Sequence, residues 1–381
     1  MNVIILGGGL VGTPMALDLS MDKGFNVTVA DVDKSVLKLL QGTTGIKTIC
    51  KDLSDPVSVT RLVSDYDMVI NAMPGFMGFR TLKAVIEAGK DVVDIAFFIE
   101  DPFQLDELAK KKGVTAVMDC GVAPGMCNIL IGYAVSRMDE AENILYYVGG
   151  LPEIREWPYE YKAVFSPVDV IEEYTRPARY VENGKLVIRP ALSDPELINF
   201  EGVGTLEAFN TDGLRSLVRT INCQNMKEKT LRYPGHIEKM AVLRETGFFS
   251  SEPVEINGNL IRPVDFTAKI LFPKWKLKEG EMDITVMKVI VEGKKGTGRI
   301  RYTYDLLDRY DPVTRIHSMA RTTGYTATVA LRMIAEGLYT HKGITVPEMI
   351  GNKHGCVEYM LKGLEARGII YRETIDQKSS M

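Results

Sequence analysis

The sequence predicts an α/β protein with two parts: a doubly wound parallel sheet, then an α+β domain whose sheet is mainly antiparallel. Three observations support this: a glycine-rich turn directly after the first strand, alternating strands and helices up to residue 121, and a cluster of strand-like segments beyond it. The protein has 381 residues, enough at about 150 residues per domain for two or three domains. We place the domains at 1–121, 122–317 and 318–381, and expect the helices of the third to pack back on the first.

The composition predicts a soluble globular protein. Hydrophobic residues make up 45% of the sequence, charged residues 25%, and the net charge is −4 without basic blocks, so neither a nucleic-acid nor a membrane partner is expected. No apolar run reaches the roughly 18 residues that a membrane span needs, and the amino terminus lacks the features of a secretory signal, which favours a cytoplasmic location. Five cysteines without a C-x-x-C pair and four histidines predict neither a disulfide framework nor a metal site.

A glycine motif follows the first strand. The strand 2–6 runs into Gly7-Gly8-Gly9-Leu10-Val11-Gly12 and then a helix, which is the order of a G-x-G-x-x-G dinucleotide site in a Rossmann-type fold. The first glycine allows a tight turn, the second lets the backbone approach a pyrophosphate, and the third allows close packing of helix and strand. The cofactor-binding candidates in this motif are Gly7, Gly9, Leu10, Val11 and Gly12.

An acid follows the second strand at the spacing that the motif requires. Asp31 lies 31 − 12 = 19 residues beyond Gly12, where a carboxylate accepts hydrogen bonds from the adenosine ribose. Because this charge would repel a 2′-phosphate, we expect NAD as the cofactor, while the nearby Lys34 keeps NADP possible. The alternative is that the glycines only form a βα turn and Asp31 caps the next helix.

More candidates stand just past the ends of the strands predicted at 46–50, 68–70, 92–94 and 114–118, where doubly wound sheets bind ligands. The cofactor candidates there are Asp52, Asn71, Ala72, Met73, Asp94 and Cys120. Each one could instead stabilise a turn or helix. For Cys120 we favour packing or cofactor contact over a nucleophilic role, since nothing suggests an activating base. Asp119 is a candidate catalytic acid or base.

The second part concentrates charged and aromatic residues beside turn residues. Arginine can grip a substrate carboxylate with a bidentate fork, and His236 is the other catalytic candidate because histidine titrates near neutrality. The substrate-binding candidates are Tyr174, Glu207, Thr211, Arg215, Arg232 and Arg321, with Arg215 preferred to Arg232 for the carboxylate. The alternatives are solvated loop charges and a structural histidine. We expect a helix at 318–336 and a frayed polar tail after Thr374.

Several of these stretches resemble the saccharopine dehydrogenase family, and within it the lysine 6-dehydrogenases. Besides the glycine motif, the resemblance rests on residues 119–126, 147–152, 173–178, 207–209, 212–216, 231–239 and 319–323. It implies a two-domain NAD(P)-dependent oxidoreductase, commonly a homodimer, that acts on an amino acid or its secondary-amine conjugate. One departure is Ile95-Ala96-Phe97-Phe98, where some lysine 6-dehydrogenases carry glycines and a histidine.

We therefore expect NAD-dependent oxidative deamination of the side-chain amine of L-lysine, which gives 2-aminoadipate 6-semialdehyde and ammonia. The semialdehyde then cyclises to piperideine-6-carboxylate. The alternative is a saccharopine reductase, or a carboxynorspermidine-type or opine-type reductase, whose substrates carry further carboxylates. A non-catalytic NAD-sensing protein is a third hypothesis, which the dense polar loops of the second part disfavour.

Overall fold

A computed structural model describes residues 1–43, 45–163, 167–278 and 280–378, with only the backbone for 167–169. The protein forms two compact units. The first consists of Met1–Ser136 and Ala320–Ile370, and the second of Arg137–Met319 and the segment from Tyr371 onward. None of the helices within the described residues is long and apolar enough to cross a membrane, and no group of three or more His, Cys, Asp or Glu there could hold a metal ion.

The elements follow in sequence order. Up to residue 136 they are β1 (Asn2–Leu6), α1 (Gly12–Ser20), β2 (Asn26–Asp31), α2 (Lys34–Leu40), β3 (Ile46–Cys50), α3 (Pro56–Val63), β4 (Met68–Asn71), α4 (Gly75–Glu87), β5 (Asp91–Asp94), a 3-10 turn (Pro102–Leu105), α5 (Asp106–Lys112), β6 (Thr115–Val117) and α6 (Met126–Ser136). The middle elements are β7 (Glu140–Pro152), α7 (Pro167–Thr175), β8 (Ala178–Glu182), β9 (Lys185–Arg189), β10 (Glu196–Phe200), β11 (Gly204–Asn210), α8 (Leu217–Thr220), β12 (Asn225–Arg232), α9 (His236–Glu245), β13 (Val254–Ile256), β14 (Asn259–Ile261), α10 (Pro263–Trp275), β15 (Asp283–Lys295) and β16 (Gly298–Arg309). The last elements are α11 (Ser318–Ala335), β17 (Gly343–Thr345), α12 (Pro347–Gly351), α13 (Cys356–Glu365) and β18 (Tyr371–Lys378).

The first unit is built on a parallel sheet in the order β17-β6-β5-β4-β1-β2-β3. Its central strands are apolar and buried on both faces, as in β1, where Val3 to Leu6 are inaccessible to solvent. Local capping sets the helix starts: Asp33 and Asp55 accept hydrogen bonds from the first backbone N–H groups of α2 and α3. Because all of these strands are parallel, their carboxyl ends lie at the same edge of the sheet.

The second unit contains a mixed sheet in the order β10-β11-β12-β7-β15-β16-β18. Only the β12–β7 pair along this path is parallel, so the predicted, mainly antiparallel sheet is confirmed. The hairpin of β8 and β9 attaches to β12. Helices α7, α9 and α10 surround an aromatic core that includes Tyr161, Tyr174, Phe209 and Trp275.

Two details differ from the sequence prediction. The tail is not frayed from Thr374 to Lys378, because β18 pairs along β16 from Tyr371. The first unit extends to Ser136 rather than Gly121, since the buried face of α6 packs on α12: the Cα of Gly132 is so close to Glu348 that a Cβ would lie 2.2 Å from its carbonyl oxygen. The segment Ala320–Ile370 lies in the first unit and contains most of α11, α12, α13 and the short strand β17, whereas β18 lies in the second unit.

Candidate functional site

The glycine motif forms the tight turn between β1 and α1. Gly7 has a φ of +100°, and a Cβ there would lie 2.6 Å from the carbonyl oxygen of Ala72. A Cβ on Gly12 would lie 1.9 Å from the carbonyl oxygen of Gly7, whereas one on Gly9 would meet nothing within 4 Å. The open space above Gly9, next to the N-terminus of α1, would be the cradle for a bound pyrophosphate. Leu10 and Val11 complete the turn, and the side chain of Val11 makes no hydrogen bond that would cap the helix.

Asp31 is held at the end of β2 by two backbone donors. Its Oδ2 accepts from the N–H of Gly8 at 2.7 Å, and its Oδ1 accepts from the N–H of Asp33 at 2.8 Å. The carboxylate is thus tied to the glycine turn itself, where an adenosine ribose would lie. The helix cap of α2 is Asp33 and not Asp31, so the capping alternative for Asp31 is wrong.

A second group of polar residues lies at the ends of β4, β5 and β6. Asn71 is fully buried and donates from Nδ2 to Oδ2 of Asp94 at 2.6 Å, while Asp94 also accepts from the N–H of Ala96 at 2.7 Å. Cys120 donates its backbone N–H to the carbonyl oxygen of Asp94 at 2.9 Å. These contacts bring three of the predicted strand-end residues together beside the glycine turn.

The other strand-end candidates differ in their surroundings. Asp119 has a φ of +48° and is 5% exposed, a strained backbone conformation that is often found at functional sites. The N–H of Met73 donates to Oδ1 of Asn71 at 3.3 Å. Asp52 is exposed, and its Oδ1 accepts from the N–H of Ser54 at 2.8 Å, so it stabilises a turn.

Cys120 is unsuited to nucleophilic chemistry. Its side chain is fully buried, and this burial, together with the negative charges of Asp119 and Asp94, holds the pKa of the thiol well above its ordinary value. A thiol in this state does not supply the thiolate that attacks a carbonyl carbon. Its burial shows that the Cys120 side chain is packed in the interior, and a contact with the cofactor stays a prediction.

In the second unit, a series of hydrogen bonds joins three predicted residues. The guanidinium of Arg232 donates from Nε to the hydroxyl of Tyr174 at 3.2 Å, and that hydroxyl lies 3.0 Å from Nε2 of His236. Another arginine nitrogen donates to Oε2 of Glu173 at 2.5 Å, and the guanidinium lies 4.4 Å from the centre of the Tyr161 ring. We call these five residues the Arg232 cluster.

His236 is neutral in this cluster. Its Nδ1 lies 2.8 Å from the carbonyl oxygen of Tyr159; because a carbonyl only accepts, Nδ1 carries the proton and Nε2 accepts from the Tyr174 hydroxyl. Burial, followed by the positive charge of Arg232, lowers the pKa of His236 to about 3. Burial likewise raises the pKa of Tyr174 to about 12. This favours a hydrogen-bonding role for His236 over the titrating role expected from the sequence.

The remaining candidates occupy three places. Glu207 accepts the N–H of Gly235 at 3.0 Å, next to the start of α9. Thr211 is buried, and Arg215 is half-buried with a φ of +53° in the turn after β11. Arg321 belongs to the first unit, where it donates to the carbonyl oxygen of Arg367 at 2.8 Å.

Sequence reasoning did not select Glu228, which is 4% exposed and accepts hydrogen bonds from Thr211, Gly213 and Thr230. The alternation of side chains along a strand would have indicated it, since Glu228 is four residues before Arg232 and therefore faces the same side of β12. Glu173 lies in the stretch 173–178 that resembles the family, but its hydrogen bond with Arg232 depends on the tertiary structure.

The first unit has a parallel sheet with a glycine-rich turn after β1, and an acid follows β2 where the ribose of a dinucleotide would lie. The same polypeptide continues into a domain with a mixed sheet. Together these features define an NAD(P)-dependent dehydrogenase. Two family models match the protein: the saccharopine dehydrogenase NADP binding domain over residues 3–117, and the saccharopine dehydrogenase C-terminal domain over residues 121–369. The protein therefore belongs to the saccharopine dehydrogenase family, as the sequence resemblance predicted.

Relatives with known names agree with this assignment. The saccharopine dehydrogenase (NADP(+), L-glutamate-forming) of Schizosaccharomyces pombe is 26% identical over 91% of this protein and 93% of its own length. The carboxyaminopropylagmatine dehydrogenase of a Synechocystis species is 25% identical over 91% and 92%. The solved apo saccharopine dehydrogenase (L-Glu forming) of Saccharomyces cerevisiae superposes with a TM-score of 0.80 at 21% identity, covering 98% of this protein and 99% of that one, which shows the same fold.

Proposed function

We propose that this dehydrogenase oxidises the terminal carbon–nitrogen bond of the L-lysine side chain with NAD, releasing ammonia and 2-aminoadipate 6-semialdehyde. The observation that carries the choice of substrate is the pairing of arginines with acids in the second unit. Arg179 binds both carboxylate oxygens of Asp212, at 2.8 and 2.9 Å, and Arg232 binds Glu173. Because Arg179 and Arg232 are already paired with acids, we infer a substrate with one carboxylate, and we assign this carboxylate to Arg215 in the turn after β11.

The chemistry sets two demands on the protein. When bound, the oxidised nicotinamide accepts a hydride from the carbon that carries the amine. That carbon releases a hydride only if its nitrogen has a free lone pair, so the side-chain ammonium, with an ordinary pKa of about 10.4, must first lose a proton. We assign this proton to the carboxylate of Asp119. The resulting imine is hydrolysed by water, which releases ammonia.

The Arg232 cluster supports this reaction by holding side chains in place. Neutral His236 accepts the hydroxyl proton of Tyr174, and Arg232 donates to the same oxygen, so the Tyr174 ring is fixed in one orientation. Because Tyr174 is fully buried in the aromatic core, we propose that it supports one side of the substrate pocket from within that core.

Asp31 supports NAD over NADP. Its carboxylate is fixed against the glycine turn, and a 2′-phosphate there would meet a negative charge. NADP is the alternative cofactor, because residues 3–117 match the NADP binding domain of the saccharopine dehydrogenase family. The homodimer and the cytoplasmic location stay predictions.

A second candidate is the oxidation of a secondary amine, as in saccharopine or carboxyaminopropylagmatine. The names of the relatives favour it. Such a substrate replaces the leaving ammonia with glutamate or another amine, and saccharopine brings two additional carboxylates for which the site must supply cations.

The test follows NADH or NADPH formation by absorbance with L-lysine, saccharopine, carboxyaminopropylagmatine, ornithine and diamines, each with NAD and with NADP. We expect turnover with L-lysine and a preference for NAD. Turnover with saccharopine alone would reject the lysine assignment, and bound NAD without any turnover would favour a sensor.

Arg215→Ala tests the carboxylate assignment. A charge-assisted hydrogen bond contributes about 1.5–3 kcal/mol, so KM should rise about 10- to 100-fold while NAD affinity stays the same. Arg219→Ala, an exposed arginine close by in α8, is the matched control. An unchanged KM in Arg215→Ala would remove Arg215 from the substrate site.

A further inference from the structure

The turn that carries Arg215 is held by contacts from three neighbouring strands. Arg215 has a positive φ of +53°, a conformation that L-amino acids adopt only where the surroundings enforce it. Tyr146 of β7 donates its hydroxyl proton to the carbonyl oxygen of Gly213 at 2.6 Å. The guanidinium of Arg179 in β8 donates two hydrogen bonds to Asp212, and the backbone N–H of Arg179 donates a third.

The third strand, β12, contributes Glu228 directly beneath the turn. Its Oε2 accepts from the N–H of Gly213 at 3.2 Å and lies 2.5 Å from Oγ1 of Thr211. Glu228 and Gly213 are so close that a Cβ on Gly213 would lie 2.6 Å from the carboxyl carbon of Glu228. Thr230 completes the group, with its hydroxyl 2.7 Å from that of Thr211.

We propose that Glu228 is a positioning residue that anchors the Thr211–Arg215 turn and thereby sets the orientation in which Arg215 meets the substrate carboxylate. The inference rests on the proposed role of Arg215. Glu228 itself is 4% exposed and acts through the turn, so it need not touch the substrate.

The protonation state of Glu228 makes this role measurable. Burial raises its pKa to about 8; the hydrogen bond from Thr211 opposes this rise, and the negative charge of Glu173 adds to it. The other charged group on the same face of β12 is Arg232, which is paired with Glu173. At neutral pH the carboxyl group is thus neutral, and above about pH 8 it places a negative charge under the turn.

The consequence is a pH-dependent substrate affinity. A negative charge that appears beneath the turn at Thr211 and Gly213 attracts the guanidinium of Arg215 and repels the substrate carboxylate, so KM should rise between pH 7 and pH 9. Lysine's own side-chain amine titrates near 10.4 and affects every variant equally, so a comparison between variants isolates Glu228.

The experiment compares Glu228→Gln and Glu228→Ala with the wild type, using L-lysine as substrate, or saccharopine if only that is turned over. Glutamine keeps an oxygen that accepts the Gly213 N–H but cannot ionise. We expect its KM at pH 7 to stay within about twofold of the wild type, and the rise toward pH 9 to disappear. Alanine should raise KM about tenfold or more at pH 7 with little change in kcat, because the turn loses its anchor.

Thermal unfolding and NAD binding serve as controls for folding. A rise of KM with pH in Glu228→Gln equal to that of the wild type would overturn the proposal, even if Glu228→Ala did not fold. If Arg215→Ala leaves KM unchanged, the proposed function loses its carboxylate site. If Arg215→Ala raises KM while the Glu228 variants behave like the wild type, the positioning role alone fails.

Discussion

At the scale of single residues, the surroundings of a side chain decide its chemistry more than its type does. Histidine in a loop suggested an acid or base, but His236 is 1% exposed and bonded on both ring nitrogens. One partner is a carbonyl oxygen, which forces the proton onto Nδ1, and the other is the Tyr174 hydroxyl. A histidine in this position orients its neighbours and stays neutral.

The neutral state of His236 predicts a pH dependence of stability. Its pKa is lowered from 6.5 to about 3 in the folded protein, so the unfolded protein binds a proton first as the pH falls. The stabilising contribution is complete above pH 6.5 and decreases below it, by about 1.4 kcal/mol per pH unit.

We expect His236→Gln, which cannot gain this charge, to lose less stability than the wild type between pH 6.5 and pH 4.5. Chemical denaturation at several pH values measures the difference. The exposed His354→Gln is the control and should follow the wild type. If the wild type and His236→Gln lose stability in parallel, His236 is not held neutral.

At the scale of elements, the glycine motif has separate tasks for each glycine. Gly12 is required by packing, since its Cα faces the carbonyl of Gly7, whereas the space next to Gly9 is open in the protein alone. The sequence motif shows that both positions are glycine, and the structure shows that Gly12 is needed for close packing while the space beside Gly9 is left open.

We therefore predict opposite effects for two alanine substitutions. Gly9→Ala should keep the melting temperature within about 2 °C and weaken NAD binding about tenfold or more, because the methyl group occupies the pyrophosphate cradle. Gly12→Ala should destabilise the fold, as its Cβ would stand 1.9 Å from a backbone oxygen. Thermal unfolding and NAD titration separate the two effects. Unaltered NAD affinity in Gly9→Ala would contradict the cradle.

The sequence predicts those strands that are long enough and apolar enough to show a hydrophobic pattern. The strands β1, β2, β4, β5 and β6 are largely buried and rich in apolar residues, so their sequences carry a clear signal. The strand β17 has three residues, and β18 is polar and largely exposed. Both depend on a neighbouring strand that supplies backbone hydrogen bonds, and such pairing leaves no local pattern in the sequence.

At the scale of the whole molecule, the first unit joins segments that are more than 300 residues apart. Asp18 of α1 accepts from Arg332 of α11 at 2.7 Å and from Arg367, just after α13, at 2.6 Å. Thr328 adds a hydrogen bond to the same carboxylate. One buried acid thus connects α1 with the C-terminal helices.

Asp18→Ala should be strongly destabilising, since it leaves two largely buried arginines without their acid. Loss of one partner of a buried ion pair costs about 3–5 kcal/mol. Asp22→Ala is the matched control, because Asp22 is 47% exposed and 3.7 Å from Arg332, and an exposed pair contributes about 0–1 kcal/mol. Equal free energies of unfolding for the two variants would show that the buried connection does not stabilise the unit.

The sequence by itself determined the parallel dinucleotide sheet, the mainly antiparallel second sheet and the resemblance to the family. These features follow from local patterns: glycine spacing, the alternation of strands and helices, and short stretches of characteristic residues. Three properties depend on the tertiary structure: the hydrogen bond between Arg232 and Glu173, the hydrogen bond from the Gly213 N–H to Glu228, and the neutral ring of His236. Those properties arise from desolvation and from hydrogen bonds between residues distant in the sequence, and neither is visible in the order of the amino acids.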